Sequence, residues 1–142
     1  MGYTHYWDKK KKINKSAWDS ICRDAKKAIA GSEVVQREMD NRDRPEIGEN
    51  VIAFNGVEHD GHETFYLERE NPDGFCKTAR KPYDKYVTAV LCIAWWHAGD
   101  SINVYSDGYS DDWDAGLKIA KSVIPEIEVP SQVEDWPFSK QG

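Results

Sequence analysis

The sequence predicts an α+β fold, a ferredoxin-like sandwich in which a split β-α-β pattern (βαββαβ) forms an antiparallel sheet covered by helices on one face. Strand-like and helix-like segments follow one another in that order, and an extra C-terminal helix with an extended tail comes last. The length of 142 residues is that of one ordinary domain. We therefore expect a single domain over 1–142, in which 125–142 is the extended C-terminal tail.

The N-terminal part predicts a strand followed by a helix. Residues 2–7, GYTHYW, are aromatic and alternate with period two, which is typical of a strand. Tyr3, His5 and Trp7 would then share one face of the sheet. Ser16 can cap a helix in which apolar residues recur every three or four positions.

The middle of the chain predicts a hairpin, a loop and a buried helix. NVIAF (50–54) and ETFYLER (63–69) are strand-like and flank Asn-Gly and Asp-Gly pairs, which form turns. Residues 72–82 begin and end with proline, and this pattern predicts a loop. The segment from about Tyr83 to His97 is apolar nearly all round, Trp95 included, so we expect it to be the most buried helix.

The C-terminal part predicts a short strand, INVYS (102–106), and a third helix capped by Ser110. Three aspartates in the first turn of that helix would interact favourably with the positive end of its dipole. The tail would dock, if it docks, through Trp136 and Phe138.

One face of the predicted sheet has no helix over it. Tyr66, Asn103 and Tyr105 would point to this open face. In this architecture such a face is either a homo-oligomer interface or a ligand platform.

Composition excludes several classes of function. A net charge of −6 argues against nonspecific nucleic-acid binding, which depends on Lys and Arg neutralising phosphates. The three cysteines show no C-x-x-C spacing, which suits a reducing compartment. No run approaches the ~18 apolar residues of a membrane span, and the N-terminus lacks the apolar stretch of a signal peptide. We expect a cytoplasmic protein that does not bind a membrane.

The segment GFCKTARKPYD (74–84) concentrates positive charge in an acidic chain. Lys77, Arg80 and Lys81 stand just before a predicted helix N-terminus, where free N–H groups favour an anion. With a hydroxyl donor and an aromatic ring to stack on a base, this predicts a phosphate or nucleotide site; a solvated basic loop is the alternative. The full predicted binding set is Phe75, Lys77, Thr78, Arg80, Lys81, Tyr83, His5, Trp7 and Asp107.

Catalytic and metal motifs are incomplete. Cys76 and Arg80 have three intervening residues where a phosphatase loop has five, so a packed thiol is the favoured interpretation. EHDGHE (58–63) offers possible ligands, but no distant His or Cys pair completes a zinc pattern. The aspartates of 106–114 lack calcium-loop spacing. We predict no cofactor, no metal and no catalytic residue.

The stretches GYTHYW, FNG, ETF, FCKTARKPYD and SDG…DW resemble a set of small uncharacterised proteins of tailed bacteriophages and prophages, over most of the chain. The resemblance implies a setting in host takeover or counter-defence, in the host cell cytoplasm. Three functions stay open: a non-catalytic binder, or sponge, of a small phosphorylated or nucleotide ligand; an inhibitor that binds a host defence protein through an acidic or aromatic surface; and a small phosphoesterase-type enzyme.

Overall fold

The computed structural model describes residues 2–40, 42–135 and 137. Within them, the elements are β1 (Thr4–Lys9), α1 (Lys15–Ile29), β2 (Glu46–Ile47), β3 (Val51–Phe54), β4 (Phe65–Glu68), β5 (Gly74–Lys77), α2 (Asp84–Ala98), β6 (Ile102–Ser106) and α3 (Asp114–Val123). Short 3-10 helices lie at Glu58–Asp60 and Ser110–Trp113. The predicted α+β class is confirmed.

The strands form two antiparallel sheets, with orders β5-β1-β6 and β2-β3-β4. A single sheet was expected, and the ferredoxin-like arrangement is not confirmed. The main difference is β5, which falls in a segment predicted to be a loop. Its pairing with β1 runs from Thr4 opposite Lys77 to Trp7 opposite Gly74. β5 has only four residues, of which the first is glycine and the last is lysine. So short a strand shows no clear alternation of apolar and polar residues.

The two sheets meet where β4 begins and β5 ends. The backbone N–H of Glu63 donates to the carbonyl of Lys77 at 3.2 Å, and the backbone N–H of Lys77 donates to the Glu63 carboxylate at 2.8 Å. These bonds hold the segment that precedes β4 against the end of β5. One core then takes buried side chains from both sheets and all three helices.

The helices follow the predicted pattern, with corrections at two helix starts and at Trp95. Ser110 was expected to cap the third helix, but it is the first residue of the 3-10 helix Ser110–Trp113, and α3 begins at Asp114.

The start of α1 and the burial of α2 give the other two corrections. The cap of α1 is Asn14, whose side-chain oxygen accepts from the N–H of Ala17 at 2.8 Å; Ser16 lies inside the first turn. Every residue of α2 from Val87 to Ala94 is buried, as expected for the central helix. Trp95 is only half-buried. Among the tryptophans that the structure describes, those with a fully buried indole are Trp7, Trp18 and Trp113.

Helices α2 and α3 approach closely at Gly116. A Cβ atom there would lie 1.9 Å from the Thr88 hydroxyl oxygen, so only glycine permits this contact.

The segment after α3 packs on the body of the protein. Ile127 and Val133 are buried, and the N–H of Ser110 donates to the carbonyl of Glu134 at 2.7 Å. The predicted docking residues Trp136 and Phe138 lie outside the described residues. No helix in the described ranges is long and apolar enough to cross a membrane.

Candidate functional site

The open face of the β5-β1-β6 sheet presents one aromatic side chain from each strand. Tyr6 lies directly opposite Phe75 on one side and opposite Tyr105 on the other. The exposed fractions are 62% for Phe75, 38% for Tyr6 and 40% for Tyr105. We call these three residues the aromatic row. Large rings in register on adjacent strands form a platform about 10 Å wide, since neighbouring strands lie ~4.8 Å apart.

Lys77 stands at one corner of the aromatic row. It lies two residues from Phe75 along β5, and two residues along a strand share one face. Its side chain extends over the backbone of Gly2, where a Cβ would lie 2.9 Å from Lys77 Cε. The Lys77 ammonium makes no ion pair with a described residue. It is therefore available to an anion bound over the row.

Asp107 stands at the other side of the row, just after β6. Its carboxylate accepts from the N–H of Thr4 at 3.0 Å and from the hydroxyl of Tyr6 at 3.1 Å. Burial raises the pKa of Tyr6, and the hydrogen bond to Asp107 raises it further. A carboxylate held at this place has acceptor capacity left for a sugar hydroxyl or a base N–H.

The covered face of the same sheet holds a closed polar network centred on His5. Asp84, the first residue of α2, accepts from His5 Nε2 at 2.7 Å and from the hydroxyl of Thr78 at 2.5 Å. His5 Nδ1 lies 2.8 Å from the hydroxyl oxygen of Ser106. That oxygen also accepts from the N–H of Gly108 at 2.9 Å. Because an ionised carboxylate only accepts, Nε2 is the nitrogen that donates to Asp84.

The Ser106, His5 and Asp84 chain has the partners of a nucleophilic triad, but its imidazole is buried. His5 is 0% exposed, with the rings of Tyr3 and Trp113 edge-on at 5.0 and 5.1 Å. A substrate has no route to the imidazole, so a proton moved to His5 could not be passed to a leaving group. The network fixes the start of α2 to β1 and β6, and His5 is a structural histidine.

This network also changes the predicted anion site at the start of α2. The carboxylate of Asp84 already lies in the first turn, where it interacts favourably with the positive end of the helix dipole. Thr78 is 0% exposed and donates to that carboxylate. An incoming phosphate would meet a negative charge there instead of free donors.

Arg80 is held by aromatic and acidic neighbours. Its guanidinium carbon lies 3.9 Å from the ring centroid of Tyr3, and Nη1 lies 3.3 Å from an oxygen of Asp112. Its backbone has φ of 59°, in the left-handed region that non-glycine residues rarely adopt. Through these contacts, Arg80 connects the turn after β5 to the 3-10 helix Ser110–Trp113.

The other predicted binding residues differ in how deeply they are buried. Tyr83 is fully buried, and its hydroxyl donates to the carbonyl of Glu63. Trp7 is 1% exposed and packs under Gly74. Lys81 is half-buried at the entrance of α2. The structure thus places Phe75 in the aromatic row with Lys77 and Asp107 beside it. It encloses Thr78, Tyr83, His5 and Trp7.

Cys76 points to the covered face and is 0% exposed. Burial raises the pKa of its thiol to about 12, and the nearby charges of Glu63 and Asp84 act in the same direction. The thiol is protonated at neutral pH and lacks the thiolate that a nucleophile requires. Among residues 2–40, 42–135 and 137, no three His, Cys, Asp or Glu side chains are grouped to hold a metal ion.

Two members of the aromatic row are absent from the predicted binding set. The signal for Tyr6 was present in the sequence, since alternation places it on the face opposite to Tyr3, His5 and Trp7. Tyr105 was expected on the open face without a stated role. Tyr66, expected beside it, belongs to the other sheet, where Arg37 lies over its ring at 5.1 Å.

Comparisons with known proteins add no family to this geometry. The chain matches no protein-family model, no curated protein and no solved structure.

Proposed function

We propose that this protein is a non-catalytic binder of a nucleotide or a similar phosphorylated aromatic ligand, which it holds on the open face of the β5-β1-β6 sheet. The observation that carries the proposal is the aromatic row, with three exposed rings in register on three adjacent strands. Every base has a π-face, and stacking on an aromatic side chain contributes ~1–3 kcal/mol per base.

The polar groups beside the row fit the remaining parts of a nucleotide. Lys77 offers phosphate an ammonium that forms no ion pair with a described residue, and Asp107 offers acceptor oxygens for ribose or base N–H groups. One cation beside one carboxylate suits a small ligand better than a nucleic-acid backbone, which a net charge of −6 repels.

The resemblance to phage proteins supplies a setting for this proposal. A protein that binds a nucleotide signal without turnover acts as a sponge, and it lowers the free concentration of that signal in proportion to its own abundance. This role in counter-defence needs affinity and copy number but no catalytic group.

Calorimetry against a panel of linear and cyclic nucleotides tests the proposal, with Phe75→Ala and Tyr66→Ala as a matched pair. Both remove an exposed aromatic ring from a strand, but only Phe75 belongs to the aromatic row. We expect a nucleotide to bind the unaltered protein and Tyr66→Ala with similar affinity, and Phe75→Ala to bind it about tenfold or more weakly. The absence of heat with every nucleotide would refute the proposal.

A protein partner is the second candidate. Asp107, Asp111 and Asp114 are exposed and lie close together in sequence after β6, and complementary charge speeds and orients association. Reversal of Asp111 and Asp114 to Lys leaves Asp112 and its bond to Arg80 intact. This candidate predicts that a host protein is retained by the unaltered chain and released by the double variant; retention by the variant would count against it.

A further inference from the structure

A cavity lies away from the aromatic row, between the C-terminal end of α1 and the connection from α1 to β2. It has a volume of about 700 Å³. Its floor is apolar and includes Ile29 and Val35, which are 8% and 7% exposed, together with Ile47. Lys26, Arg42 and Arg44 line its rim.

The three rim cations have no ion-pair partner among the described residues. The acidic residue in the lining is Asp43, so the rim has an excess of positive charge in a chain whose net charge is −6. Lys26 has a structural use at the negative end of the α1 dipole. That use does not extend to Arg42 and Arg44, which belong to the connection and not to the helix.

Arg37 holds the connection in place. Its backbone N–H donates to the carbonyl of Asp43 at 2.8 Å, and its guanidinium pairs with Glu46 at 3.0 Å and with Glu38. The backbone of Gln36 pairs with that of Asn55 at 2.9 and 2.7 Å. Long connections without regular structure are uncommon in compact domains and are usually functional or disordered. This one is anchored by its own hydrogen bonds.

We infer that this cavity, the α1 cleft, is a second binding site for a small molecule that has an apolar body and one anionic head. The apolar floor removes the body from water, and the guanidinium groups of Arg42 and Arg44 bind a carboxylate, sulfonate or phosphate with charge-assisted hydrogen bonds. The inference does not depend on nucleotide binding at the aromatic row, because the two surfaces share no residue.

Two fluorescent probes separate the two parts of this site. 1-Anilinonaphthalene-8-sulfonate has an apolar body and an anionic head, and N-phenyl-1-naphthylamine has the same body without the sulfonate. We expect the sulfonate probe to bind the folded protein. Arg42→Gln with Arg44→Gln should weaken it about tenfold or more, and leave binding of the neutral probe within about twofold. Higher NaCl should weaken only the sulfonate probe.

Two variants control for charge and for location. Lys27→Gln removes a neighbouring cation of α1 that does not line the cleft, and Phe75→Ala alters the aromatic row. Both should bind the sulfonate probe as the unaltered protein does. The inference is overturned if the sulfonate probe does not bind, if the double Arg variant binds it unchanged, or if Lys27→Gln weakens it as much as the double variant does.

Discussion

The two faces of the β5-β1-β6 sheet differ in nearly every property, although alternate residues of the same strands build them. The covered face holds His5, Trp7 and Cys76, each at most 1% exposed. The open face holds Tyr6 and Phe75, which are 38% and 62% exposed and have no helix over them. Side chains on the covered face hold the fold together, whereas those on the open face are accessible to a ligand.

The difference follows from where the polar groups of each face find partners. On the covered face, His5 donates to Asp84, so the loss of Asp84 leaves His5 Nε2 buried without an acceptor. On the open face, the Lys77 ammonium makes no ion pair with a described residue, and Asp107 keeps acceptor capacity beyond its bonds from Thr4 and Tyr6. Substitutions on the covered face should therefore reduce stability, and substitutions on the open face should reduce binding.

The largest expected effect on stability is that of Trp113→Ala. The indole of Trp113 is 0% exposed and packs edge-on against His5, and removing a buried indole costs ~3–5 kcal/mol of unfolding free energy. Urea denaturation measures this, with Trp96→Ala as the control because Trp96 is 38% exposed. Equal losses of unfolding free energy in the two variants would show that burial of the indole does not determine the cost of removing it.

Asp84→Ala comes next. It leaves His5 Nε2 and the Thr78 hydroxyl without an acceptor in a buried place, and we expect a loss of ~2–4 kcal/mol. Asp114→Ala is the matched control, because Asp114 is also the first residue of a helix but is exposed. If both variants lose the same unfolding free energy, the helix dipole and not the His5 network explains the role of Asp84.

Arg80→Ala should have a smaller effect, about 0.5–1.5 kcal/mol. It removes a cation–π contact with Tyr3 and a partly exposed ion pair with Asp112. Arg80→Gly should lose less than Arg80→Ala, since glycine adopts the positive φ without a Cβ clash. Thermal unfolding of the two variants checks the order, and a larger loss for Arg80→Gly would show that the positive φ does not favour glycine at this position.

The smallest expected effect is on thiol labelling of the native protein. Burial raises the pKa values of Cys76 and Cys92 to about 12 and that of the half-buried Cys22 to about 11. Only the thiolate reacts, so at pH 8 iodoacetamide should label Cys22 slowly and the other two hardly at all. Mass spectrometry locates the label, and rapid labelling of Cys76 would argue for a reactive thiol on the covered face.

Local patterns in the sequence predicted much of the fold. The apolar circumference of α2 and the strand INVYS were predicted because each depends on residues close in sequence. The pairing of β5 with β1 could not be predicted, since it joins positions about 70 residues apart and decides which strand borders β1.

The candidate site shows the same limit. Phe75, Lys77 and Asp107 were predicted from residue type; Phe75 belongs to the aromatic row, and the other two lie beside it. His5 and Thr78 were predicted as ligand contacts, but each is used by Asp84, to which His5 is bound across 79 positions of sequence. No local pattern reveals such a partner, so residue type alone cannot tell a buried network from a binding site.

Ligand-linked unfolding tests the central claim most directly, because one urea titration reports both stability and binding. A nucleotide that binds only the folded state raises the unfolding free energy, by about 2.7 kcal/mol at a concentration 100 times its Kd. We predict that the nucleotide raises it for the unaltered protein and for Tyr66→Ala. For Phe75→Ala the gain should be at least about 1 kcal/mol smaller, while its stability without ligand stays within about 1 kcal/mol of the unaltered protein. An equal gain in all three proteins, or no gain in any of them, would contradict the assignment of binding to the open face.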